Sequence, residues 1–169
     1  MGRGACLTLM LLAPSLLAGC GPGRMPASLG HPLAGATAPE FHEASIDGRE
    51  VNVPGSFRTR VTVIDFWASW CAGCQESIPA LDALYRAEHD QGVSVIGVSV
   101  DQASADAEGL VARLHTSFPV VFDPDMQIAG SYGVAQVPIT FVVDSRGTVR
   151  WVGRSPSEAR RAVHVVLAE

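Results

Sequence analysis

The chain of 169 residues has no lysine: its 12 basic residues are all arginine, against 17 acidic ones, for a net charge of −5. The arginines form no basic stripe, and Arg160-Arg161 reads as a solvated helix face, so nothing points to a nucleic-acid surface. Charged residues are only 17% of the chain and apolar ones 47%, which argues against disorder, although an apolar N-terminus inflates the second figure. No internal repeat is present. The histidines are few and dispersed, at His31, His42, His89, His115 and His164. With no second Cys-x-x-Cys either, a zinc site lacks donors at ligand spacing. Cysteine is scarce, 4 in all. A chain of this length suits one compact domain whose core needs no disulfide staples.

The four cysteines fall in two places. Cys6 and Cys20 belong to the N-terminal apolar stretch, whereas Cys71 and Cys74 lie in the globular part. Arg3 followed by the apolar run Ala5 to Leu17, too short for a comfortable membrane span, has the layout of a secretory signal. The run closes on Leu17-Ala18-Gly19-Cys20, the pattern of a bacterial lipobox, in which the cut falls before the cysteine and the cysteine carries the lipid. The alternative is an ordinary cleaved signal with an incidental cysteine. On the lipobox reading, residues 1–19 are signal peptide, Cys20 is lipidated, and one thiol pair faces an oxidising compartment. Gly21 gives no retention signal of the aspartate type, which leaves both the cell membrane and an outer membrane open. Residues 21–38 are dense in Gly, Pro and Ala without period, and read as a flexible tether. The folded domain is then 39–169.

Within the domain, Asp47-Gly48 between alternating segments predicts a short hairpin over Glu40 to Val53, and Pro54-Gly55-Ser56 a break. Val61 to Phe66 is apolar on both faces except for Asp65, as in a covered central strand. Ile78, Leu81, Leu84 and Tyr85 recur at helical spacing up to about Gln91, where Gly92 is a stop; Pro79 inside this helix should kink it. Val93 to Val100 is a second buried strand. A helix from about Ser104 to Thr116 carries Leu110, Val111 and Leu114, and Pro119 to Phe122 is a short strand closed by Asp123-Pro124. Ile139 to Val143 and Val149 to Val152 flank Asp144-Ser145-Arg146-Gly147 as an antiparallel hairpin. Ser155-Pro156-Ser157-Glu158 joins a capping box to a proline at the first helical position, opening a last helix with Ala162, Val163, Val166 and Leu167 inward. This order is an α/β layout with a mixed sheet.

Where the first core strand meets its helix stands Phe66-Trp67-Ala68-Ser69-Trp70-Cys71-Ala72-Gly73-Cys74. With Val137-Pro138-Ile139-Thr140 downstream and the Ala38-Pro39-Glu40-Phe41 entry, this resembles the thioredoxin fold, specifically the membrane-anchored TlpA/ResA-type thiol-disulfide oxidoreductases. The resemblance covers about Pro39 to Glu169. It implies a thioredoxin-like fold, a mixed central sheet flanked by helices with an N-terminal β-hairpin extension, and an enzyme that exchanges disulfides with partner proteins without a cofactor.

The residues suit that chemistry. Cys71 falls at a helix N-terminus, where unpaired N–H groups and the helix dipole favour a thiolate, so its pKa should be depressed into the band of about 3.5 to 7.5 seen for such cysteines. It is assigned as the nucleophile, and Cys74, three residues along, as the resolving thiol. An unpaired carboxylate at Asp65 would be costly on a central strand, the alternative being an edge-of-strand aspartate that reaches solvent. The resemblance implies that Asp65 lies behind Cys74 and moves that thiol's proton, burial raising its pKa towards the working pH. Sequence alone predicts a trans bond before Pro138. The resemblance implies the cis-proline beside the active disulfide, leaving the Val137 backbone free to pair with an extended substrate. Trp70 is placed at the rim of the same surface, with Ala72 and Gly73 as the spacer facing the partner, and Trp67 as core or loop support.

Three departures from relatives concern partner and potential. The Ala72-Gly73 spacer has no proline, position 77 is Ser where many ResA-like proteins carry an acid, and Glu76 is one place off. The expected activity is an extracytoplasmic oxidoreductase, lipid-anchored and monomeric, reducing partner disulfides and recharged by a membrane electron donor, in cytochrome c maturation or envelope redox homeostasis. A peroxiredoxin-like thiol peroxidase would need a cysteine in a Pro/Thr-containing loop, which Trp70 to Cys74 does not match. A copper-binding assembly factor using the two thiols lacks an obvious third ligand.

Overall fold

The computed structural model describes residues 23–53 and 59–169. The expected signal peptide, Cys20 and the Pro54-Gly55-Ser56 break lie outside the described residues. Two strands, β1 (Phe41–Ala44) and β2 (Glu50–Val53), form an antiparallel hairpin. Its turn puts Gly48 at φ +81°, a conformation in which glycine meets no steric cost. The main sheet holds β3 (Val61–Trp67), β4 (Val93–Ser99), β5 (Val120–Phe122), β6 (Ile139–Asp144) and β7 (Val149–Gly153), in the order β5-β4-β3-β6-β7. β3 runs parallel to β4 and antiparallel to β6.

All seven residues of β3 are buried, which explains its lack of a polar face. The parallel crossover from β3 to β4 is made by α1 (Ala72–Glu88), followed by a 3-10 turn over His89–Gln91 that ends on Gly92 at φ +90°. The helix runs through Pro79 as one element. The proline removes one backbone N–H there and with it one intrahelical bond. The second crossover, from β4 to β5, uses α2 (Ser104–Leu114), which is capped by His115 in the left-handed conformation and ends two residues short of the expected end. The last helix, α4 (Pro156–Leu167), is capped by the Ser155 hydroxyl, which accepts from the Glu158 N–H at 3.4 Å.

Two features differ from the sequence reading. A short helix, α3 (Gln127–Ser131), stands where none was predicted. Five residues including Gly130 cannot show a helical period; what holds them is the Asp123 carboxylate, which accepts from the N–H groups of Gln127, Ile128 and Ala129 at 2.9, 3.2 and 2.8 Å. Residues 27–38, read as part of a flexible tether, instead lie along the outer edge of β7. Leu29 N–H donates to Val152 O and Gly35 N–H to Val149 O, both at 2.8 Å, and Trp151 Nε1 donates to Ala27 O at 3.1 Å. The opposite edge is covered by the hairpin, with Ile46 N–H donating to Val120 O at 2.7 Å. Neither edge of the main sheet is thus left as an open row of unpaired backbone groups. One compact aromatic group, Phe66, Tyr132 and Phe141, fixes the sheet beneath α3, with ring centroids 5.1 to 5.7 Å apart.

Candidate active site

Strand register brings the sequence-distant motifs together. Trp67, the last residue of β3, pairs with Ser99 at the end of β4, and Phe66 pairs with Ile139 at the start of β6. The segment after Trp67 and the Val137-Pro138 step before Ile139 therefore meet at one pole of the sheet, beyond the carboxyl ends of the parallel strands, where α/β folds place their sites.

At that pole Cys71 is the N-cap of α1, with extended backbone (φ −86°, ψ +107°), and its Sγ accepts from the Cys74 N–H at 3.2 Å. Cys71 and Cys74 are joined by a disulfide, their Cα atoms 5.2 Å apart. Cys74 is fully buried and Cys71 nearly so, at 8% exposure. In the reduced state the same N-cap geometry offers a Cys71 thiolate an N–H donor and the positive end of α1. The Val137-Pro138 bond is cis. Gly73 faces Pro138: a Cβ built at Gly73 would lie 3.6 Å from Pro138 Cδ, which puts the spacer and the proline in direct apposition. Ala72 and Gly73 are both exposed.

Asp65 is wholly buried in mid-strand, paired in register with Gly97 and Thr140. Its Oδ1 accepts from the Thr140 hydroxyl at 2.7 Å, while Oδ2 has no hydrogen-bond partner among the described residues. Burial outweighs that one bond and pushes its carboxyl up to about 7. Trp67 is core, as one of its two expected roles had it, with its indole over Gly97: a Cβ there would come within 2.7 Å of Trp67 Nε1.

Trp70 stands out at 71% exposure, beside a cavity of about 280 Å³ that it lines with Val100, Gln102, Met126, Val134 and Val137. Among the described residues no charged side chain lines it. Met126, 44% exposed, is delivered by the unpredicted turn into α3. Sequence reasoning missed it because its place depends on that helix. It missed Asp101 as well, a buried carboxylate just past β4 that accepts from both the amide and the hydroxyl of Ser69. The one available signal was an aspartate directly after an apolar parallel strand. Among the described residues no three His, Cys, Asp or Glu side chains come together as a metal site.

A family model described as AhpC/TSA matches residues 34–152. The chain belongs to the AhpC/TSA family. Within this AhpC/TSA chain the match begins inside the segment laid along β7 and takes in both motifs. The chain is similar to "Thiol-disulfide oxidoreductase ResA" of Geobacillus thermodenitrificans, 33% identical over 69% of this chain and 66% of that protein. The protein of the same name from Bacillus subtilis is 27% identical over 68% of this chain and 64% of its own length. The chain thus spans about two thirds of the relatives it matches. Among solved structures, a protein described as a putative thiol:disulfide interchange protein DsbE from Chlorobium tepidum superposes with a TM-score of 0.69 at 28% identity, covering 78% of this chain and 97% of that one. The architecture is therefore thioredoxin-like, a mixed five-stranded sheet flanked by helices with a two-stranded N-terminal hairpin.

Proposed function

We propose that the protein is a thiol-disulfide oxidoreductase that reduces disulfides of partner proteins through Cys71 and Cys74. The observation that carries this is the Cys71–Cys74 disulfide itself, set at the N-terminus of α1 against Pro138. The names of the relatives and of the Chlorobium structure support the same chemistry. In the dithiol form the Cys71 thiolate bonds to one sulfur of a partner disulfide, whose other sulfur leaves as a thiolate. Cys74 gives up its proton to Asp65, which near neutral pH is poised to take it, and attacks the Cys71 sulfur. The partner departs as a dithiol and Cys71–Cys74 closes as the disulfide. Two electrons have passed to the partner, and a second dithiol protein, a membrane electron donor, restores them. The Val137 backbone and the uncharged cavity beside Trp70 receive the partner's extended segment.

A thiol peroxidase, the other chemistry weighed for this fold, is disfavoured by the site. The sulfur next to Trp70 pairs with a cysteine one helical turn away, and the stretch Trp70 to Cys74 that carries it contains neither Pro nor Thr. The proposal also includes lipidation at Cys20 after removal of residues 1–19, which would hold the domain outside the cytoplasm. No helix among the described residues is long and apolar enough to cross a membrane.

Equilibration of the protein with glutathione redox buffers tests the direction of transfer. A potential on the reducing side, near that of thioredoxin at about −270 mV, supports a reductase, whereas one near −120 mV would assign the protein as an oxidant.

A further inference from the structure

One buried charge near the disulfide has no part in the proton transfer above. Asp101 is 1% exposed and follows β4 by two residues. The Ser69 N–H donates to both its carboxylate oxygens at 3.0 Å, the Ser69 hydroxyl donates to Oδ1 at 2.9 Å, and the Ser99 hydroxyl donates to Oδ2 at 2.8 Å. Ser99 also accepts from the Asp101 N–H at 3.2 Å, which ties the carboxylate back to its own strand. From the other side, Gln75 Nε2 donates to the Ser69 carbonyl at 2.7 Å, and Arg113 holds the Gln75 carbonyl oxygen at 3.1 Å.

Every polar group of Ser69 is therefore taken by a residue outside its loop. The residues on either side are bound too: Trp67 O accepts from Val100 N–H at 2.9 Å, and Ala68 O accepts from Cys71 N–H at 3.1 Å. Burying a carboxylate is costly, and a plain surface loop needs no such anchor. The turn this one secures is the turn that presents Trp70 and Cys71.

We propose that Asp101 is a positioning residue for disulfide exchange: held by Ser99, its carboxylate fixes Ser69 and so seats Cys71 at the N-terminus of α1. The proposal rests on Cys71 being the attacking thiol. Correct seating lets a Cys71 thiolate keep the Cys74 N–H and the end of the helix dipole; a loosened turn gives up part of both. Two effects of removing the carboxylate then oppose each other. Loss of a neighbouring negative charge by itself favours the thiolate, while loss of the seat disfavours it.

The full chain in its reduced form, as wild type, Asp101→Asn, Ser69→Ala and Ser69→Thr, is alkylated with iodoacetamide across a pH series, and urea midpoints are measured alongside. Asn offers one acceptor oxygen where Asp offers two. Asp101→Asn should move the Cys71 titration midpoint up by about half a pH unit, a shift of the size that helix-end interactions support. Ser69→Ala should move it in the same direction, and Ser69→Thr, which keeps the hydroxyl, should restore it. An unchanged midpoint with lowered stability would make Asp101 a structural residue only, and a downward shift would mean that it acts by charge and not by position; either overturns the proposal. A wild-type chain that shows the midpoint yet reduces no disulfide probe would overturn the exchange reading and leave the placement of Cys71 by Asp101 standing.

Discussion

Substituting Asp65→Asn should make the protein more stable at neutral pH and less competent in exchange. The side chain is fully buried, its Oδ2 is unpartnered among the described residues, and its carboxyl titrates at about 7 against 3.8 when freely solvated. Between those two values the folded state holds a proton that the unfolded chain has already released. The folded state binds more protons there, so stability falls as pH rises through the window and levels off above about 7. A separation of about three pH units at about 1.4 kcal/mol each amounts to about 4 kcal/mol. That is a large share of the roughly 5 to 15 kcal/mol by which domains are stable.

Asn keeps the shape and can still accept the Thr140 hydroxyl, but it has no proton to lose. Urea unfolding of oxidised wild type and Asp65→Asn at fixed pH values from 4 to 8.5 isolates the effect, because every other titrating group is common to both. The two should be nearly equal at pH 4, and the variant should gain progressively to about 4 kcal/mol by pH 8. A stability difference that does not change with pH would refute the claim that Asp65 is held neutral by burial. In exchange assays the same variant should resolve mixed disulfides more slowly near neutral pH, since Cys74 loses its proton acceptor.

Gly97→Ala should cost about 1 to 3 kcal/mol, because the new Cβ meets Trp67 Nε1 at 2.7 Å and Phe118 at 3.0 Å in a filled core; a thermal melt within error of wild type would contradict it. Met126→Glu places a charge in the uncharged cavity beside Trp70, so reduction of a peptide disulfide flanked by apolar residues should slow by roughly tenfold while reduction of oxidised glutathione changes little. Equal slowing of both substrates would remove the cavity from the account.

Much of the site was legible in the sequence because it is local. The Cys71–Cys74 spacing, the apolar strand before it and the helical period after it state the strand-to-helix turn outright, and Asp65 announced itself as the one charge in an otherwise apolar run. The main sheet followed from strand patterns whose ends were placed within a residue or two. What stayed hidden depends on long-range partners. Asp101 binds Ser69, 32 residues earlier, and nothing in a Val-Asp-Gln stretch marks that contact. Met126 reaches the cavity only because the Asp123 carboxylate caps a helix too short to show a period. Residues 27–38 have the composition of a linker, yet backbone pairing with β7 needs no particular side chains and leaves no trace in composition.

Whether Cys71 attacks and Cys74 resolves is decided by a trapping experiment. The reduced Cys74→Ser variant, mixed with a disulfide-bearing partner or with extract from the outer compartment, should accumulate a covalent adduct through Cys71 that dithiothreitol releases, while Cys71→Ser should accumulate none. Adducts on Cys71→Ser and none on Cys74→Ser would reverse the two roles, and the absence of adducts from both would contradict the exchange chemistry altogether.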